Sequence, residues 1–301
     1  MTALRIPILA TPRNDGEGKT QNRDPSQIHR RDILNREDAY FHTNIEMTVC
    51  IHGVWDKKNN DVTPATFIVL TCEVTSLHEF KTRKLKLEVD FDNVEASTSS
   101  ADGQRRASNM SIVSRGPHVI SRYNKTKVSM RRERGLDGEI GADVIVKPGI
   151  NLHQLSSQEW EAQYFEEAKS GVRHASSTDH RYTKVWWIFT QNRKSRTGIA
   201  PGFQIAMLLR RETDEPFKGN VAITEFDAGW RHKGAAAWHD FFSKQDPEAE
   251  KDDIIDAINF DPTAESIRPG WLKGVDADQL GDLETEAGID KQYARVWGVD
   301  L

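Results

Sequence analysis

Apolar residues recur at every second position in several separate stretches of the chain, and a period of two marks a strand with one face on a core. In the clearest run Phe41, Thr43, Ile45, Met47, Val49 and Ile51 stand against His42, Asn44, Glu46, Thr48, Cys50 and His52. This predicts one half-exposed strand with the first set inward. The polar cluster DKKNND at 56–61 turns the chain into a second strand with Ile68, Leu70, Cys72 and Val74 inward. A third follows, with Leu85, Leu87, Val89 and Phe91 alternating against Lys84, Lys86, Glu88 and Asp90. Three strands joined by polar turns make a meander.

The densest apolar block is YTKVWWIFT at 182–190, with Val185, Trp187 and Phe189 on one face and Trp186 and Ile188 on the other. A strand apolar on both faces reads as central and covered on both sides. Past the breaker Pro201-Gly202 the alternation returns at Phe203, Ile205, Met207 and Leu209, then again at Phe217, Val221 and Ile223. Between these regions the pattern weakens over 110–147. The segment 156–170 is ambiguous: Ser156 and Glu159 fit a capping box and Trp160, Tyr164 and Ala168 share a helical face, so a short helix is the local reading, with a strand in a sheet context as the alternative. The whole predicts a mainly β fold, an antiparallel β-sandwich over residues 40–242. Residues 1–39 are expected to be a disordered or extended lead-in, 95–109 a mobile Ser-rich loop, and 243–301 an acidic docking tail.

Charge sharpens that division. The total is -5, but residues 250–301 hold 13 acidic and 5 basic side chains, a net of -8, which leaves about +3 for the rest. A weakly basic body with an acidic tail argues against a nucleic-acid partner, which needs a concentrated basic face. Apolar anchors interrupt the tail at Ile254, Ile255, Ile258, Phe260, Trp271, Leu272, Leu280, Leu283, Ile289 and Trp297. Apolar anchors in an acidic background are what a peptide ligand looks like. The tail is therefore expected to fold back on the β-domain through Trp271, Leu272 and Trp297.

Catalytic chemistry is harder to find. No Gly-x-Ser-x-Gly elbow occurs, and Gly18-Lys19-Thr20 lacks the upstream glycine of a phosphate loop, since Arg13 stands there. Cys50 and Cys72 are the two cysteines and are expected to be reduced. Cys50 and His52 are neighbours on one strand face and offer two metal ligands, but no second spaced pair completes a set. No catalytic residue, metal or cofactor is assigned on this basis. Trp230, Trp238, Trp271 and Trp297 lie at element ends or in the tail and, with Leu272, are candidate ligand or self-docking anchors. Ser108 follows Arg105-Arg106-Ala107 and is a candidate phosphosite. The basic run supplies candidate anion contacts at Lys125, Lys127, Arg131, Arg132 and Arg134, with a charged, solvated edge strand as the alternative.

The block VWWIFTQNRKSRTGIAPGFQIAMLLRRETDEPFKGNVAITEF and the tail segment QLGDLETEAGID resemble an uncharacterised group of filamentous-fungal proteins. In that group an aromatic strand, a loop rich in Lys, Gly, Ile and Pro, and an apolar strand precede an acidic tail. The resemblance covers about 110 residues, implies a β-rich fold and a fungal, intracellular setting, and carries no functional residues. With no apolar leader and no run long enough for a helical span, a cytoplasmic setting is expected. The function expected is a non-catalytic binding or interaction protein whose partner is another protein or a second copy. The alternatives are a sugar- or lipid-binding module able to touch a membrane surface, and an enzyme of unrecognised type.

Overall fold

The computed structural model describes residues 22, 24, 26–37, 41–77, 81–93, 109–133, 157–174, 180–228, 256–285, 288–289 and 295–296. They form two antiparallel sheets. In the first, β1 (Asp32–Glu37), β2 (Phe41–Asp56), β3 (Asp61–Ser76) and β9 (Gly202–Arg211) lie side by side. Along the far edge of β9, β5 (Met110–Gly116) pairs with its C-terminal part and β12 (Arg295–Val296) with its N-terminal part. The second sheet runs β11 (Ile258–Phe260), β10 (Phe217–Asp227), β4 (Lys84–Asn93), β8 (Tyr182–Thr190), β7 (Ser157–His174) and β6 (Val119–Glu133).

Local chemistry explains the turn that starts the first sheet. The Asp56 carboxylate accepts from the Asn59 backbone N–H at 3.1 Å, capping a 3-10 turn at Lys57–Asn59. Asn60 follows at φ 63, the left-handed region that Asn tolerates. The β2–β3 hairpin is thereby closed over the predicted DKKNND cluster.

The inner faces of the sheets meet in one apolar layer. Its members include Ile68, Leu70, Cys72 and Val74 of β3, Leu85, Leu87, Val89 and Phe91 of β4, and Val185, Trp187 and Phe189 of β8. Phe203, Ile205, Met207 and Leu209 of β9 and Phe217, Val221 and Ile223 of β10 complete the inward sets that the alternation predicts. The sheets are stapled by Phe189, near the end of β8, on Phe203, near the start of β9, ring centroids 3.9 Å apart. Cys50 and Cys72 are both buried and free.

The segment 156–170, open between a local helix and a strand, is strand β7, paired with β6 on one side and β8 on the other. Two ladders of hydrogen bonds override the local helical preference of a segment whose capping box would satisfy only one end. Within the lead-in, expected to be disordered or extended, Asp32–Glu37 form the extended strand β1 along the free edge of β2. Finally, β2 does not present 41–51 as one inward face. A register shift against β3 lies between Met47 and Val49, the mark of a bulge. Phe41, Ile45 and Met47 point into the sandwich, but beyond the bulge it is Cys50 that does so, while Val49 and Ile51 turn to the opposite face.

That opposite face is also apolar, and the C-terminal region covers it. Val49, Ile51, Ala65, Phe67, Val69, Ala206 and Leu208 form a second cluster with Leu280, Leu283 and Ile289. The covering chain first adds β11 to β10, then bridges Ile267 to the edge of β2 through paired backbone bonds with Cys50 (3.1 and 2.8 Å). It next crosses the outer face as a 3-10 segment, Ala277–Leu283, capped by the Asp276 side chain on the Asp278 N–H at 3.0 Å. The approach is close at Gly53, where a β-carbon would stand 2.0 Å from the Ala277 carbonyl oxygen. Lys57 pairs with Asp278 at 2.8 Å and Lys58 with Gln279. These exposed contacts contribute little beside the apolar burial.

Candidate functional site

The bulge in β2 has a chemical consequence, because it turns Cys50 and His52 inward at the seam where the two sheets meet. There they meet His29, carried by the lead-in. His29 Nε2 lies 2.9 Å from His52 Nε2, and Cys50 Sγ lies 3.5 Å from His52 Nε2. All three potential ligand atoms fall within 4.8 Å of one another. Among the described residues this is the one group of three or more His, Cys, Asp or Glu side chains that close together.

Each side chain is fixed from behind. His52 Nδ1 is 2.9 Å from Thr66 Oγ1 on β3, the residue opposite it in register. His29 receives the Asp261 N–H at Nε2 (3.4 Å) and makes a backbone hydrogen bond at Glu265 that favours a protonated ring, as a carbonyl acceptor does. The His29 backbone N–H donates to the Asn259 carbonyl at 2.9 Å, and Ile28 bridges to Asn259, so the lead-in is laid along β11. Backbone φ at His29 is 50, in the left-handed region. Non-glycine residues hold that conformation at a cost and are enriched where a side chain must be aimed. Below the pair the rings of Phe217 and Phe260 stack at 4.8 Å, with His52 set edge-on to Phe217 at 6.2 Å.

This apolar packing keeps the cluster uncharged. Burial pushes the Cys50 thiol far above its ordinary value, against the pull of the Arg211 guanidinium. His52 is pushed down to about 3, first by burial, then by His29 and Arg211, with Asp261 opposing. Burial likewise lowers His29, against its backbone hydrogen bonds and the Asp261 carboxylate. A buried neutral thiol is a poor nucleophile. Two neutral imidazoles beside a thiol are, however, a ligand set for a borderline-soft metal.

Elsewhere on the surface a depression is lined by residues that include Thr63, Met110, Arg181, Arg210 and Arg211. Its guanidinium groups are already engaged: Arg181 with Glu212 (2.6 Å), Arg210 with Asp61 (3.0 Å), and Arg211 with Asp214 (3.0 Å) and the Thr213 carbonyl (2.9 Å). Arg210 also sits 4.8 Å over the Trp55 ring.

The residues singled out in the sequence are scattered. Leu272 packs against the outer apolar cluster, while Trp271 is 46% exposed. Contact with the outer face is carried instead by Leu280, Leu283 and Ile289, all buried. Their signal was present as isolated apolar residues in acidic sequence, but the bulk of tryptophan outweighed it. Lys125, Lys127, Arg131 and Arg132 lie on β6, the edge strand of the second sheet, with Lys127 opposite Gln163 and Arg131 opposite Glu159 in register. Trp230, Trp238, Trp297, Ser108 and Arg134 lie outside the described residues. His29 carried no sequence signal at all, because its partners Cys50 and His52 stand 21 and 23 residues away on a strand whose phase is broken.

No protein-family model matches the chain, and no curated protein is similar to it. Among the described residues no helix is long and apolar enough to cross a membrane.

Proposed function

We propose that this is a non-catalytic interaction protein whose outer sheet face is a docking surface for an acidic, leucine-anchored segment. The observation that carries this reading is the second apolar cluster, a sheet face filled by Leu280, Leu283 and Ile289 of the same chain. A sheet needs one buried face, and the sandwich interior already supplies it. Here β2, β3 and β9 bury both. The segment that covers the outer face is tethered, so modest contacts hold it at a high effective concentration. The same segment of a second copy has identical complementarity, and exchange between copies gives self-association by the same contacts.

A labelled peptide covering 272–289 tests this. The full-length double variant Leu280→Asp, Leu283→Asp, whose own segment is released, is expected to bind the peptide saturably, while the wild type with its face filled binds at least tenfold more weakly. Equal binding by the two proteins, or none by the released variant while its strands remain folded, would remove the docking surface from the account.

A further inference from the structure

We propose that His29, Cys50 and His52 bind one borderline-soft divalent cation, zinc in the first instance, which clasps the lead-in to the bulged part of β2. The site goes beyond the docking reading and is independent of it.

Ligand type and geometry agree. Zinc–nitrogen bonds of about 2.0–2.1 Å and zinc–sulfur bonds of about 2.3 Å at tetrahedral angles place nitrogens about 3.3 Å apart and nitrogen about 3.6 Å from sulfur. Two of the observed spacings, 2.9 Å between the imidazole nitrogens and 3.5 Å from Cys50 Sγ to His52 Nε2, need an opening of only a few tenths of an ångström, while the three ligand atoms together span up to 4.8 Å, so His29 and Cys50 must draw about an ångström closer. Both histidines converge through Nε2; the other ring nitrogen of His52 has a hydroxyl partner at Thr66, of the kind that orients a metal-bound imidazole, and the His29 ring has a backbone partner at Glu265. His29 also keeps a left-handed backbone that aims its ring at the other two.

Binding is balanced as follows. The cation takes the Nε2 lone pairs of both neutral imidazoles, once the Asp261 N–H leaves His29 Nε2 and the ring that donates between the two Nε2 atoms takes its Nδ1–H tautomer; it also takes the Cys50 thiolate, and the thiol proton leaves to solvent. The Arg211 guanidinium, whose charge reaches Cys50, favours that thiolate. Three protein ligands leave a fourth position for water or for Asp261, the carboxylate whose charge acts on both imidazoles. A cation here ties together two parts of the chain that the sandwich ladders do not join directly. One is the strip 28–30 lying on β11. The other is β2 beyond its bulge.

Cobalt(II) is the probe, titrated into the metal-free full-length chain. The expected result is one equivalent bound, with a near-ultraviolet thiolate-to-cobalt charge-transfer band and the intense visible bands of a tetrahedral site, both displaced by zinc. Cys50→Ser should abolish the charge-transfer band. Because that residue is in the core and its variant can fail to fold, His29→Asn provides the second reading. Asn tolerates the left-handed backbone, so the variant should fold and yet bind cobalt over a hundredfold more weakly. Thr66→Val, which removes only the outer partner of His52, should weaken binding by about 10–100-fold. If the folded wild type takes up no cobalt from excess metal, the site is a hydrogen-bonded His–His pair and the proposal is overturned. Unchanged affinity in His29→Asn overturns it equally.

Discussion

Trp187→Ala is expected to be among the most damaging single substitutions in the chain, destabilising it by about 3–5 kcal/mol. Trp187 is fully buried and among the largest side chains in the interior. On β8 it stands opposite Leu87 of β4 and Ser170 of β7, at the centre of the second sheet. Its indole N–H donates to the Gly116 carbonyl at 3.1 Å, and Gly116 belongs to β5 of the other sheet. The side chain therefore fills the interlayer space and also bonds across it. Alanine leaves a cavity too enclosed to collapse and a carbonyl without that donor. Trp187→Phe keeps most of the volume while losing the hydrogen bond, so a smaller cost of about 1–3 kcal/mol is expected. Urea denaturation of the three proteins, with unchanged slope, is the check. A loss below about 1 kcal/mol for the alanine variant would mean that Trp187 is not an interlayer support.

Leu280→Asp is expected to act differently, detaching a segment without unfolding the sandwich. The leucine is fully buried on the outer face beside Leu283 and Ile289. Its loss alone removes a few kcal/mol of apolar burial, and a carboxylate placed there adds the cost of an unpaired buried charge. The total cannot exceed what docking of the segment is worth, because the segment can lift away and hydrate the new charge. The sheets remain held by their own ladders and by the inner layer. Expected readouts are binding of a hydrophobic dye to the bared face, a lower melting temperature, and a retained β signal in circular dichroism. Gly53→Val should reproduce all three through a different cause, since a side chain there collides with the Ala277 backbone. Agreement between a change on the segment and a change beneath it assigns the effect to their contact. Loss of the β signal in both variants would make the segment an integral layer of the fold.

The inward sets of β3, β4, β8, β9 and β10 were legible in the sequence because each alternates cleanly. Two elements were not, for different physical reasons. At 156–170 the apolar residues Trp160, Tyr164 and Ala168 are spaced by four, which fits a helical turn of 3.6 and is also an even number, so it fits one face of a strand. Pairing on both sides decided the outcome. In β2 the apolar alternation runs unbroken from Phe41 to Ile51, and a bulge at Thr48 changes which face receives it. A bulge is visible in a pattern only when one face is polar; here both faces are covered, so the shift leaves no mark. The same blindness hid the candidate site. With Cys50 and His52 placed on the polar side of β2, nothing in the sequence brings His29 to them. The docking of the acidic tail was legible as a principle, from charge and scattered anchors, but its contact residues were not. The two leucines are buried because a 3-10 segment seats them on the outer sheet face, whereas Trp271 stays half-exposed.

Hydrogen exchange on the unmodified full-length protein tests the central claim, that the C-terminal segment is folded onto the outer face of the first sheet. The amides of Ile267, Gln279, Glu284 and Ile289 donate to Cys50, Asp276, Gly281 and Thr285 respectively. The account predicts that they exchange at least about a hundredfold more slowly than an unstructured chain, through openings that leave β3 and β9 protected. Exchange of these four amides at unstructured rates, with β3 and β9 still protected, would contradict it.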